Sequence, residues 1–141
     1  MAFIASTLPL QFGFERALSI ALQEKNYLGQ WNTKLVSNIT ALDALSWIAN
    51  LNDALAQLDV VSALPGMQAY AQTQFGSGTY DVATEFSGMR AALVAIRDWL
   101  LANIPSNSIT ITAGVQVGQS FAPAATAPLK ALVVAAIAKI A

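Results

Sequence analysis

The stretch TYDVATEFSGMRAALVAIRDWLLANIP, residues 79–105, decides the fold. Its apolar residues Val82, Phe86, Met89, Leu93, Ile96 and Leu100 follow one another at alternating steps of four and three. That spacing draws one face of an α-helix. Thr79 or Asp81 caps the start by accepting backbone N–H bonds, and Asp81 and Glu85 suit the positive end of the helix dipole. Pro105 disfavours helix in the residue before it, so the segment stops there. At the usual rise per residue the helix is ~35 Å long. Gly88 costs about 1 kcal/mol of helix propensity unless a neighbouring backbone comes close.

Upstream, Phe14, Ala17, Leu18, Ala21, Leu22 and Leu28 lie on one face of an amphipathic helix that starts near Leu10, with Glu15, Arg16, Glu24 and Lys25 mostly off it. Gly29 and Asn32-Thr33 mark a break or kink. A second helix is expected from about Lys34 to Leu58. It carries Leu35, Ile39, Leu42, Leu45, Ile48, Leu51, Leu55 and Leu58, with Trp47 on another side, a surface broad enough to be buried on more than one face. Leu64-Pro65-Gly66 closes that region, and Met67 to Phe75 forms a short helix leading into Gly76-Ser77-Gly78.

Downstream of Pro105 the period falls to two. Ile109 and Ile111 alternate with Thr110 and Thr112, and Val115 and Val117 with Gln116 and Gln119, so Ala113-Gly114 turns a hairpin. Helical spacing returns at Leu129, Leu132, Val133, Ala136, Ile137 and Ile140, with Thr126 as cap and Pro128 in the first turn. The fold class is therefore mainly α. It is a helical bundle of three to four helices with a small β-hairpin or extended segment (about 108–119) before an apolar C-terminal helix. Residues 1–104 form the bundle; residues 105–141 pack on it or on a neighbouring subunit.

Composition narrows the chemistry. The 141 residues are 55% hydrophobic and only 11% charged, with no Cys and no His. Disulfides, thiolate nucleophiles and zinc sites are excluded, as is the side chain best suited to proton transfer near neutral pH. A net charge of −1 leaves no field for a phosphate backbone, so no direct nucleic-acid binding is expected. The longest apolar run near the C-terminus, Ala131 to Ala138, is fenced by Lys130 and Lys139, and no membrane span is expected. Met1 to Phe14 lacks the positive region of a signal peptide. The Asn38-Ile39-Thr40 sequon then reads as part of a helix.

Asp81 and Glu85 make the best carboxylate pair, but helix capping accounts for both without a substrate. Asp53 and Asp59 read as a solvated edge. Gly76-Ser77-Gly78 lacks the lysine and glycine spacing of a phosphate loop and reads as a connector. Arg90 and Arg97 share a stripe of the third helix and suit a salt bridge to Glu85 or to another chain. The tryptophans Trp31, Trp47 and Trp99 are not interleaved with Lys or Arg, so they read as core or interface anchors. No catalytic, cofactor or metal-ligating residue is assigned. The candidate interface comprises Trp31, Trp47, Arg90, Arg97, Trp99, Phe121, Leu129, Leu132, Val133, Ile137 and Ile140.

Several stretches resemble small, mostly uncharacterised proteins of tailed bacteriophages and prophages. They are LPGMQAYAQ (64–72), YDVATEF (80–86), MRAA (89–92) and AIRDWL (95–100), then Asn103-Ile104-Pro105, where those proteins usually have Asn-aromatic-Pro, and the FAPAATA segment (121–127) before an Ala/Leu helix. The resemblance runs from Leu64 to the C-terminus and lapses between Pro105 and Phe121. It implies a phage or prophage source and supplies no catalytic residues. The function expected is a non-enzymatic structural protein of the virion, assembling as a homo-oligomer with other virion proteins at the head–tail neck or the tail. A capsid decoration protein, or a soluble adaptor or regulator outside the particle, is the alternative.

Overall fold

The computed structural model describes residues 8–104, 109–112, 115–118 and 120–140. The chain is mainly α. The heptad-like stretch forms α4 (Val82–Asn103), with Asp81 as its N-cap accepting from the Thr84 N–H at 3.1 Å. Met89, Leu93, Ile96 and Leu100 are buried along one face, and Val82 and Phe86 are half-buried. Gly88 meets no neighbouring backbone: an added Cβ would touch only the Lys139 side chain, at 3.7 Å. The propensity cost of Gly88 is therefore not offset by a close backbone, and Gly88→Ala should raise stability by about 0.5–1 kcal/mol, read as a higher urea midpoint.

Helix α1 (Leu8–Lys34) runs unbroken through Gly29 and Asn32. The break comes later, and α2 (Ala41–Ser62) starts seven residues beyond Lys34 rather than at it. The reason is a reciprocal cap. Asp43 N–H donates to Thr40 Oγ1 at 3.2 Å, and the Thr40 N–H donates back to Asp43 Oδ2 at 3.0 Å. Such a box satisfies two amide donors that a helix start otherwise leaves open. Partial burial works against the Asp43 charge, but the Thr40 amide and the Lys34 ammonium outweigh it and hold its carboxyl below the usual range. Ile39–Thr40 is strand β1, so the sequon is not helical.

Gly66, at φ 79°, takes the left-handed conformation that precedes α3 (Met67–Phe75). Gly13 serves packing instead: a Cβ there would come within 2.8 Å of Leu64 Cδ1 and 2.9 Å of Met67 Cε. Strands β2 (Ile109–Thr112) and β3 (Val115–Gly118) form the antiparallel hairpin, with Thr112 opposite Val115. Its Ala113-Gly114 turn lies outside the described residues, as does Pro105. Strand β4 (Ser120–Phe121) pairs antiparallel with β1, setting Phe121 opposite the fully buried Ile39. Helix α5 begins at Pro123, not at a Thr126 cap, and ends at Ile140. Thr126 is buried inside it, its hydroxyl donating to Ala122 O at 3.4 Å, and Pro128 falls beyond the first turn.

The C-terminal helix folds back onto its own chain. It lies against α4 and α1, while α2 packs on α4 and α1, so four long helices share one core. Leu28, Leu51, Leu58, Leu93, Ile96, Leu100 and Leu129 are at or near zero exposure, each contributing roughly 1.5–3 kcal/mol of burial. By length and composition α5 is also long and apolar enough to cross a membrane, its two lysines notwithstanding.

Candidate functional site

The seam that α1 turns inward is Ala17, Ile20, Glu24, Leu28 and Trp31, continued by Leu35 just past its end, in steps of three and four. Glu24 is thus an inward residue at 2% exposure, not an off-face one. Across from it on α2 lies the Asn50 amide; assigned with its nitrogen toward the carboxyl, the orientation that satisfies both groups, it donates to Oε1 at 3.1 Å and Oε2 at 2.8 Å. Burial alone pushes the Glu24 carboxyl from 4.5 up to about 7. The Asn50 amide suits either state, since its nitrogen serves a carboxylate and its oxygen accepts from a protonated carboxyl. Spacing could have revealed Glu24, because it sits four residues from both Ile20 and Leu28.

A carboxyl that titrates near neutrality has the acidity of a general acid or base. Acid–base chemistry on a substrate also needs access and a second group. Glu24 is sealed in the core, and among the described residues no cluster of His, Cys, Asp or Glu could hold a metal. The pair instead joins α1 to α2.

Above it lies an aromatic stack. Trp31 and Trp47 rings sit 5.0 Å apart at 18°, and Tyr27 continues the stack 6.5 Å from Trp31. Trp31 and Trp47 are about 5% and 6% exposed, so they are core anchors rather than an offered interface. Asn32 Oδ1, close by in sequence, is buried with no hydrogen-bond partner among the described residues.

The remaining sequence candidates scatter. Arg90 reaches across to α2, where its Nε and Nη2 bind the Asp59 carboxylate at 2.7 and 2.9 Å. The guanidinium holds Asp59 below the usual carboxylate range, so Asp59 is paired and not simply a solvated edge. Arg97 instead meets its neighbour Asp98 at 3.2 Å. Both pairs are substantially exposed and contribute about 0–1 kcal/mol. Leu129 and Val133 are fully buried in the chain's own core, which corrects their place among interface candidates. Trp99, Phe121, Leu132, Ile137 and Ile140 are half-buried against that core. Asp81 caps α4, and Glu85 is exposed.

The Gly76–Gly78 connector is tied in place. Ser77 Oγ accepts from the Thr79 and Tyr80 amides, and Gln72 Oε1 accepts from Val82 N–H at 2.9 Å. Val82 and Thr84 amides are therefore committed within the chain, and no anion is needed at this helix start.

A narrow apolar groove of about 50 Å³ runs between α1, α3 and α4, bounded by Phe14, Ala17, Met67, Ala71 and Phe86. It continues into a 140 Å³ hollow beside Leu18, Tyr80, Met89 and Ile140, with Glu85 and Lys139 at the rim. These volumes fall short of the 300–1,000 Å³ usual for a small-molecule site.

The larger feature is on the outside. Leu18 (48%) and Leu22 (67%) on α1, Leu45 (45%) and Val60 (68%) on α2, Leu101 (58%) on α4 and Val134 (50%) on α5 face solvent. Leu18, Leu22, Leu42 and Leu45 had been expected on buried faces; the helices instead turn other rows inward. Spacing alone misses this, because both sides of α1 and α2 carry leucines. Comparison with known proteins finds no family model, no curated protein and no solved structure that matches this chain.

Proposed function

We infer that this chain is a non-enzymatic structural protein of a tailed-phage virion, present in multiple copies and placed at the head–tail neck or the tail. The observation that carries the assembly reading is the number of exposed leucines and valines spread over α1, α2, α4 and α5 in a chain with so few charges. Isolated apolar side chains on a surface need no explanation, but their recurrence on four outer helix faces favours burial between subunits. The Glu24 carboxyl, the one with a neutral-range acidity, is sealed away from any substrate. The phage source rests on the resemblance of residues 64–141. Quantitative mass spectrometry of purified particles tests the reading. About a dozen copies fit a neck ring, and hundreds fit capsid decoration. Absence from particles overturns the reading in favour of a soluble adaptor.

A further inference from the structure

Most of the charged side chains of α1 are engaged within the chain. Glu24 lies in the core beside Asn50, Arg16 donates to Gln57 Oε1 at 3.0 Å, and Lys34 meets Asp43 at 3.2 Å. The other two, Glu15 and Lys25, form no ion pair among the described residues; Glu15 accepts only from Gln11, one turn back, at 3.4 Å. Both belong to an outward stripe of α1 that runs Gln11, Glu15, Leu18, Leu22, Lys25 and Gly29, in steps of four and three. All are exposed except Lys25, which is half-buried. The surface around Leu22 is formed by α1 alone, with Asn26, Gln30 and Thr33 beside the stripe. A Cβ at Gly29 would meet nothing within 4 Å. Glycine inside a helix lowers its stability, and no contact among the described residues offsets that loss. It does let a second backbone lie close alongside.

The order of charges on the stripe selects its occupant. Its steps are the same from either end, and alternation of four and three is the spacing with which two helices pack side by side. A copy laid along it in the reverse direction sets Leu18 against the partner's Leu22, Glu15 against the partner's Lys25, and Gln11 against the partner's Gly29. The two-fold axis repeats each contact, so two leucine pairs are flanked on both sides by opposite charges. A parallel copy would set Glu15 on Glu15 and Lys25 on Lys25. A foreign helix would have to supply lysine, two leucines and glutamate at these same steps, and a reversed α1 already carries them. We propose that α1 packs antiparallel on α1 of a second copy along this stripe, with the two-fold axis passing between Leu18 and Leu22. This rests on the multi-copy reading above and names one of its contacts.

Sedimentation equilibrium of the full chain at low salt tests the pairing with Glu15→Lys, Lys25→Glu and the double exchange. The unmodified chain is expected to dimerise. Each single variant should dimerise roughly tenfold more weakly, because two opposite-charge pairs become two like-charge pairs. The double exchange restores both pairs in reversed order and should recover the association at an unchanged net charge. An equimolar mixture of the two single variants should recover it as well. Both positions lie on the outside of α1, and far-ultraviolet circular dichroism checks that the helices persist. An unmodified chain that stays monomeric overturns the proposal and leaves the stripe to a different protein. Unchanged association in both single variants overturns it too, as does a double exchange no tighter than the singles. If the pairing fails while particles still contain many copies, only the α1 contact falls; a dimer that obeys the charge exchanges but is absent from particles refutes the virion reading instead.

Discussion

At pH 8, Glu24→Gln is expected to raise the stability of the fold by about 3 kcal/mol, and at pH 4 to leave it nearly unchanged. The effect follows from the burial of Glu24 between α1 and α2. Its carboxyl titrates at about 7 in the folded chain against 4.5 in the open. The folded state therefore holds the proton more tightly, and between those two values it binds more protons than the unfolded state. Stability contributed by the neutral acid is intact below the lower value and is lost as pH rises through the upper one. Glutamine keeps the shape and the hydrogen bond to Asn50 but never ionises. Asp43 and Asp59 act in the opposite sense, since their carboxyls are lowered and lose stabilisation as pH falls. That contribution is common to both proteins and cancels in the comparison. Urea denaturation at the two pH values checks it, and an equal difference at both would refute the buried-carboxyl account.

Trp47→Ala should cost about 3–5 kcal/mol at any pH between those limits. Trp47 is 6% exposed, stacks on Trp31, and sits among Ile48, Leu51 and Ala44 on the inner side of α2. Truncation removes a large buried surface and leaves a cavity that the neighbouring helices can fill only in part. The loss is a large share of the 5–15 kcal/mol that typically holds a domain together. Trp47→Phe should recover part of it by keeping a ring against Trp31. The shift in urea midpoint measures both, and a loss below 1 kcal/mol for the alanine variant would show that the stack is not part of the core.

How much of this was legible in the sequence depends on which force dominates at each place. The seam of α4 was readable because its apolar steps, its Asp81 cap and its stop before Pro105 all agree. The hairpin pattern and α3 were readable for the same reason. The junction of α1 and α2 was not. Leu35, Ile39 and Leu42 keep helical spacing straight across the break, and only the Thr40–Asp43 box, whose Thr40 ends the sequon read as part of a helix, marks the true start. Likewise Pro123, permitted at the first position of a helix, opens α5 earlier than Thr126 suggested.

The candidate site was less legible than the fold. Trp31, Trp47, Leu129 and Val133 have the character of interface anchors, yet the chain uses them itself. Glu24 was missed because a carboxylate is expected to face water, and its seam position carries meaning only once α2 supplies Asn50. Leu18 and Leu22 were assigned inward because leucine spacing cannot tell which of two apolar faces a bundle will choose. The exposed face becomes visible only when the helices are packed.

A three-dimensional reconstruction of the purified particle tests the central claim most directly. The account predicts multiple symmetry-related copies of this chain at the neck or tail, with the outer faces around Leu22, Leu45 and Val60 covered by neighbouring subunits. Particles without density for the chain, or copies whose outer helix faces all remain in solvent, would contradict it.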